Sequence, residues 1–555
     1  MGASLTATMV LLLLSLVVPT CVAYYNHPLL QSHPVPPLPP LAPHGPVSLY
    51  SASDPNPPRP LTAQILAATA PPPLSTLHHF LRCLPRPLSG PAVTIFGSPE
   101  YEMRRQRSYQ SNRSAPMAFV EARKEGDVQL VLFCAQALRI PVCARAGGHS
   151  LVGKSLCQGI VVDVGSIEHV THVGGDVFDI GPGATMGDVL WGVHKFGRWY
   201  AAGVCPAVGM GGYTLGGGHG PYEGRLGLGC DSVEQVRMID RFGRVIVASE
   251  TQNEELYWGV LGAGGSQFGI VTNFRVRTAS SAPFDKAVVF RFKWPTAVAG
   301  QVLHGWQQYD EAGGDVWFRV EMYLDRLGDG GLHGFGACYN VTGGKDECWT
   351  RLARNAFFHV KGRRTILFGE SINALDVHAF FGPEGRWGRE RAVDISKALR
   401  VQKYRGANAG NDRLYQSTFL KWGPGHAPPV WFWQRYAEFC GRPVGGRGVE
   451  FVVCEMNLFN NAIDRRRNNS FAHREARLIT HYIIGGGSVE EQVRLYEWMR
   501  RHLAAYTSGV YVNYPELRLR RYASAYWGSS LQRLQRLKRR YDPYLFFLNA
   551  QPIPV

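Results

Sequence analysis

Several signals that would assign a chemistry at once are missing from this chain of 555 residues. The spacing G-x-G-x-x-G is absent from both of its glycine-rich strings, which argues against a Rossmann-type dinucleotide site. Neither H-E-x-x-H nor paired C-x-x-C occurs, so no metal centre of those kinds is expected. Beyond the N-terminus no apolar run is long enough to cross a bilayer, and no internal repeat is visible. Acidic residues are scarce: 43 Asp and Glu against 59 Lys and Arg leave a net charge of +16. Such a charge draws polyanions by long-range attraction. The basic residues, however, cluster in Arg465-Arg466-Arg467, in Arg518-Leu519-Arg520-Arg521 and along Arg533, Arg536, Lys538, Arg539 and Arg540, with no nucleic-acid reading module among them. A solvated basic face attracted to anionic polymers is the economical reading, and specific nucleic-acid binding is not expected.

What is present can build a large core: 45% of the residues are hydrophobic and 18% charged, and the length suggests two or three lobes. Residues 1–23 read as a signal peptide. The apolar run Met9 to Val18 is short for a membrane span, and Cys21-Val22-Ala23 offers a small-residue cleavage site, although no Lys or Arg precedes the run. A secreted protein without a membrane span is therefore expected; a small-molecule substrate and a monomeric state are separate expectations for it. Residues 24–75, proline-dominated from Pro34 to Pro73, lack a periodic apolar pattern and read as a disordered linker. In an oxidising compartment some cysteines should pair. Cys338 and Cys348 flank a turn-rich loop that they could close, and Cys143 with Cys157 is a competing option; spacing alone leaves the connectivity open. Sequons at Asn112, Asn340 and Asn468 fit the same compartment.

Folding should begin near Leu77 to Leu81, a short amphipathic helix. Val128 to Leu138 has helical spacing behind Gly126-Asp127, Ile140 to Ala144 is a short apolar run, Gly159 to Val164 reads as a buried strand, and alternation continues from Val177 to Thr185 before a helix over Met186 to Phe196. Strands of this kind mixed with single helices make an α+β domain, not a doubly wound one. From about Ser280 the texture shifts to alternating strands such as Ala287 to Phe292 and Trp317 to Met322, with a helix over Val302 to Asp310. An antiparallel sheet covered by helices on one face is expected there.

Two strings carry the chemistry: Arg145-Ala146-Gly147-Gly148-His149-Ser150 and Gly203-Val204-Cys205-Pro206-Ala207-Val208-Gly209-Met210-Gly211-Gly212. Each sets one nucleophilic side chain among residues small enough for a flat, phosphate-bearing ligand to lie against bare backbone. Either His149 or Cys205 alone would pass for an ordinary residue. Together with Leu215-Gly216-Gly217-Gly218-His219-Gly220-Pro221, the strings resemble the flavin-attachment elements of the berberine bridge enzyme-like, FAD-linked oxidases of the vanillyl-alcohol oxidase superfamily, which share a PCMH-type FAD-binding fold. Asn253 to Trp258 with Gly262 to Thr272, Tyr511-Val512-Asn513-Tyr514-Pro515-Glu516 and Lys538-Arg539-Arg540-Tyr541-Asp542-Pro543 match further family signatures, so the likeness runs from about residue 80 to the end. Gly262-Ala263 stands where the family has Arg-Gly, and Glu516 where it has Asp.

The resemblance implies FAD bound covalently twice, at the 8α carbon through His149 and at C6 through Cys205. It places Arg145, Ala146, Gly147, Gly148, Ser150, Val208, Gly209, Gly211, Gly212, Gly217, Gly218, His219, Gly220, Ile270 and Val271 against the cofactor. It divides the chain into an FAD-binding domain over 76–279, a substrate domain over 280–506 and a C-terminal segment, 507–555, that returns to the first. It suggests a Cys83–Cys134 disulfide. With Cys21 removed and Cys205 on the flavin, nine cysteines remain and an odd one is left over. The implied reaction is hydride removal from a hydroxyl-bearing carbohydrate or aromatic metabolite, with Tyr514 as the base or its hydrogen-bond partner. A tyrosine needs activation for that task, because its ordinary pKa is about 10. The family draws the activating neighbour from the substrate domain shortly before an F-x-H-R element, here Phe471-Ala472-His473-Arg474. Asn457 or Asn460 lies at that offset, although an asparagine cannot accept the proton. Val208 occupies the family's oxygen-gating position, where valine goes with use of O2 and release of hydrogen peroxide.

Overall fold

The structure is a computed structural model that describes residues 74–84, 93–105, 115–150, 152–315, 318–325, 331–381, 413–441, 451–459, 463, 468–486 and 488–555. Residues 1–23, read from the sequence as a signal peptide, nearly all of the proline-rich segment, Asn112, Asn460 and Arg465-Arg466-Arg467 lie outside the described residues.

Three sheets organise an α+β fold. One is four-stranded, in the order Val93–Ile95, Ala118–Glu121, Ile160–Asp163, Val142–Arg145, and its last three strands run parallel. Helix Glu125–Ala137 covers it and buries Val128, Val131, Leu132 and Cys134. It begins three residues before the expected start, where the Asp127 carboxylate reaches back to accept from the backbone N–H of Arg123 and Lys124, the two residues just before the first turn. A second, five-stranded antiparallel sheet follows the order Val170–Gly174, Val177–Ile180, Ile270–Arg277, Val233–Ile239, Val245–Ser249. Helix Met186–His194 packs against it, its start fixed by a capping box between Thr185 and Asp188.

The third sheet has eight antiparallel strands in the order Arg364–Ile372, Ala287–Trp294, Gly331–Cys338, Phe318–Asp325, Phe451–Leu458, Leu478–Gly485, Arg413–Leu420, Thr507–Gly509. Period-two alternation splits it between two cores. Val288, Phe290, Phe292 and Trp294 face helices Thr296–Glu311 and Val430–Cys440, as do Cys454, Met456, Tyr482 and Ile484. Val289, Phe335, Phe419 and Ile479 face the other way and merge with residues of the five-stranded sheet and of the last fifty residues in one large core. Helices therefore cover one face of the sheet. The opposite face is turned toward the glycine loops.

The chain's end joins the sheets. After Thr507–Gly509 it enters the shared core through Val510, Tyr511 and Val512. Helix Leu531–Tyr541 then packs on helix Glu254–Val260 so closely that a Cβ at Gly259 would stand 2.4 Å from Leu537. Phe547 finally pairs beside Val142 of the four-stranded sheet. Buried Lys538 locks this route. Its ammonium donates to the Gln267 carbonyl at 2.6 Å and to Asp542 at 2.7 Å, while Asp542 accepts from the N–H of Phe546 and Phe547.

Disulfides join Cys83 to Cys134, Cys143 to Cys157, Cys338 to Cys348 and Cys440 to Cys454. The first three use the expected cysteines, and the two options weighed against each other coexist. Buried Cys230 is a free thiol. No helix of the described residues is long and apolar enough to cross a membrane.

Candidate functional site

The two glycine strings meet in space. Strand Val142–Arg145 delivers the His149 turn, in which Gly148 takes φ +68°, a conformation that favours glycine. The Cys205 loop is stitched to the start of helix Met186–His194: Met186 N–H donates to the Val208 carbonyl, Gly187 to Pro206, Met210 to Ala184 and Gly211 to Pro182, all at 2.7–3.0 Å. Gly147 and Gly209 then touch backbone to backbone. A Cβ on either would stand 2.5 Å from the other's amide nitrogen.

One cavity runs along these loops. His149, Cys205, Ala146, Gly147, Gly148, Ser150, Val208, Gly209, Gly211, Gly212, His219, Gly220 and Val271 line it, as does Tyr514. Arg145, Gly217, Gly218, Ile270 and Asn457 do not. Arg145 is buried in the wall, donating to the Arg104 carbonyl and lying 3.9 Å from Asp163. Gly217 and Gly218 act from behind: both take positive φ, and the Gly218 N–H donates to the Tyr511 hydroxyl at 3.0 Å. Ile270 belongs to the core beneath the four-stranded sheet.

The far wall comes from the eight-stranded sheet and the chain's end. Glu455 and His481 sit opposite each other on neighbouring strands, and alternation turns both away from the helices and into the cavity. His481 Nδ1 lies 3.8 Å from the Glu455 carboxylate. The His481 ring stacks on Tyr514 at 4.4 Å, and Tyr514 meets Tyr511 edge-on at 5.1 Å. Asn457 is two residues from Glu455 on the same strand face, and its side-chain amide donates to that carboxylate at 3.3 Å. Sequence reasoning missed Glu455 and His481. The only available signal was the strand period, which places position 455 with 457.

Electrostatics differ between the walls. Burial pushes the Tyr511 phenol up to about 12, opposed by donation from the N–H groups of Gly218 and His219 and the amide of Asn513. His219, on the cavity wall, is hydrogen-bonded through Nδ1 to buried Glu223 at 2.5 Å. Burial alone brings the Lys154 ammonium down to about 7; it lies at the cavity edge over the Tyr526 ring.

These residues fit FAD. At Gly212 and Gly265, both on the cavity wall, an added Cβ would meet nothing within 4 Å, so bare backbone faces open space. Buried Asn549 also lines the cavity, and its amide nitrogen lacks a hydrogen-bond partner. A long ligand rich in acceptor atoms would satisfy both features. One observation competes with attachment at both residues: Cys205 is disulfide-bonded in this structure. A sulfur in a disulfide cannot also bond a flavin.

Comparison with known proteins agrees with this geometry. The chain matches the family models for an FAD binding domain over residues 116–249 and for berberine and berberine like proteins over residues 510–554. It is 26% identical over 478 residues to berberine bridge enzyme-like 23 of Arabidopsis thaliana, covering 79% of this chain and 84% of that protein. Among solved structures it resembles chitooligosaccharide oxidase, with a TM-score of 0.72 at 19% identity over 86% of this chain and 99% of the other. A grass pollen allergen with glucose dehydrogenase activity matches with the same TM-score and coverage at 17% identity. At these identities the solved structures show a shared fold.

Proposed function

We propose, from the premise that this chain belongs to the berberine bridge enzyme-like FAD-linked oxidoreductases, that it is a secreted oxidase of hydroxyl-bearing compounds, with carbohydrates as the first class to test. The observation that carries the reading is the carboxylate of Glu455, beside His481 and Tyr514, facing the His149 and Cys205 loops across one cavity.

Each residue has a task. The bare backbone of the turn from Gly147 to Ser150 and of Gly211 and Gly212 would cradle the pyrophosphate, while His149 and Cys205 anchor the ring covalently. FAD held there supplies the hydride acceptor. A substrate C–H bond aimed at it breaks with its electron pair as the hydroxyl on the same carbon loses its proton, leaving a carbonyl. Glu455 takes that proton. Tyr514, held by its stack on His481, orients the hydroxyl. Asn457 acts on Glu455 by hydrogen bond instead of touching substrate. O2 is the final acceptor, giving hydrogen peroxide, with Val208 leaving room beside the Cys205 loop.

Secretion reconciles Cys205 with a flavin bond. Removal of residues 1–23 takes Cys21 away, and ten of the eleven cysteines remain. Eight of these form the four disulfides and Cys230 is free and buried, so Cys205 is left for the cofactor. The three-part division, FAD-binding 76–279, substrate 280–506 and returning segment 507–555, belongs to the same proposal.

The test is anaerobic mixing of the flavin-containing protein with a panel of oligosaccharides and phenolic alcohols, followed by air. Bleaching by a sugar and rapid recovery with peroxide release support the reading. Recovery only with an artificial acceptor would make the protein a dehydrogenase, and no bleaching by any hydroxyl compound would remove the proposal.

A further inference from the structure

The hairpin tip between strands Val233–Ile239 and Val245–Ser249 meets the turn that follows helix Leu531–Tyr541, and the two make a band of arginines and rings outside the cavity. Arg241 lies 4.5 Å from the centroid of Phe242 and 5.6 Å from that of Tyr544. Arg244 lies 4.8 Å from the same Phe242 ring, and Arg540 lies 5.4 Å from Tyr541, three residues before Tyr544. Two of these rings stand out from the core: Phe242 is 48% exposed and Tyr544 85%, while Tyr541 is partly buried against it. Phe133, 63% exposed, extends the patch, since it follows one helical turn after Gln129, whose amide donates to the Gly243 carbonyl.

The tip is preorganised. The Asp240 carboxylate accepts from the N–H groups of Phe242 and Arg244 and from the Arg244 guanidinium at 2.8–2.9 Å. The two nearby acids are spent internally, Asp240 on Arg244 and buried Asp542 on Lys538. No carboxylate pairs with Arg241 among the described residues, and its buried Nε has no hydrogen-bond partner. Exposed Arg539 and Arg540 add two more positive charges at the end of the helix. The band is therefore cationic, ringed and rigid.

We propose that this band binds an anionic polysaccharide, a glycan with carboxylates spaced along its chain. Exposed rings stack on the C–H faces of sugars, and guanidiniums beside them take the carboxylates in charge-assisted hydrogen bonds. A lipid bilayer fits less well, because Phe242, Tyr541 and Tyr544 each have a guanidinium over the ring, and burying them would strip water from the cations. The choice of a glycan over another polyanion rests on the proposed secretion; the surface itself does not depend on the flavin chemistry.

Binding of the secreted, flavin-containing protein to three probes tests this: polygalacturonate, its methyl-esterified form with the same rings and no charge, and phosphatidylserine vesicles. Polygalacturonate should bind in a salt-dependent way. The variant R241Q/R540Q should weaken that binding about tenfold, equivalent to roughly 1.4 kcal/mol, and Tyr544→Ala should weaken it too, with flavin absorbance and turnover unchanged in both. No binding to polygalacturonate, equal binding to the esterified polymer, tighter binding to vesicles, or variants that bind like the parent would each overturn the proposal. A protein lacking flavin or turnover but still binding would instead overturn the oxidase reading alone.

Discussion

Gly147 and Gly209, 62 positions apart in the chain, touch backbone to backbone, so that a Cβ on either would stand 2.5 Å from the other's nitrogen. The contact fixes the His149 turn against the Cys205 loop. Gly209 has φ −75°, which any residue adopts, so its constraint is the close approach and not the dihedral. Gly209→Ala should therefore cost about 1–3 kcal/mol through forced separation. Thermal denaturation and the ratio of flavin to protein absorbance measure both consequences; an unchanged midpoint with full flavin content would contradict the account.

Glu455→Gln keeps the size of the side chain and removes its capacity to accept a proton. Flavin reduction by substrate should slow by about 10²–10⁴-fold, the usual share of a general base, with flavin content intact. Asn457→Ala, which removes only a hydrogen bond to that carboxylate, should have the smaller effect. Rapid-mixing absorbance under anaerobic conditions reads both, and the reverse order would transfer the base role away from Glu455.

Lys538→Met should destabilise by about 3–5 kcal/mol, because it strands the buried Asp542 carboxylate. Burial holds the Lys538 ammonium below its ordinary value and the Asp542 carboxyl above its own, so each charge is tolerable only with the other. The variant K538M/D542L should recover part of the loss in a urea melt. No recovery would mean that the contacts of Lys538 with the carbonyls of Gln267 and Phe547 matter more than the pair.

Acid should weaken the fold before the carboxylates titrate. Burial lowers His378 and His473 to about 4, so both are neutral in the folded chain near pH 6. Unfolded, each takes up a proton near its ordinary value of about 6.5. Between those limits the unfolded state binds more protons, and stability is full above about 6.5 and falls as pH drops toward 4. Melting temperatures from pH 7.5 to 4.5 should show that slope, and His378→Phe should flatten it. A pH-independent midpoint would contradict the assignment.

The glycine loops were legible in the sequence because backbone contact leaves a compositional trace: where two chains must touch, as at Gly147 and Gly209, only glycine serves. The C-terminal return was expected only from the resemblance of Lys538 to Pro543 to a family signature; the Lys538–Asp542 pair that holds this stretch was not read from the sequence, although i, i+4 spacing on a helix brings the two together. Glu455 and His481 were not legible. Their meeting depends on the register between strands Phe451–Leu458 and Leu478–Gly485, and a one-residue slip would turn either away. Asn457 was reached only through its offset before Phe471-Ala472-His473-Arg474, so the carboxylate two residues earlier on the same strand face went unseen. Arg145 misled because its motif fixes its position in the chain, not its direction, and it is buried beside Asp163 behind the cavity.

The central claim is a flavin bonded to the chain at His149 and Cys205, and peptide mass analysis of acid-precipitated protein secreted from its host tests it most directly. A yellow pellet, with flavin mass on both the His149 and the Cys205 peptides, is the predicted result. A colourless pellet, or a Cys205 peptide recovered in a disulfide with another cysteine of the chain, would contradict it.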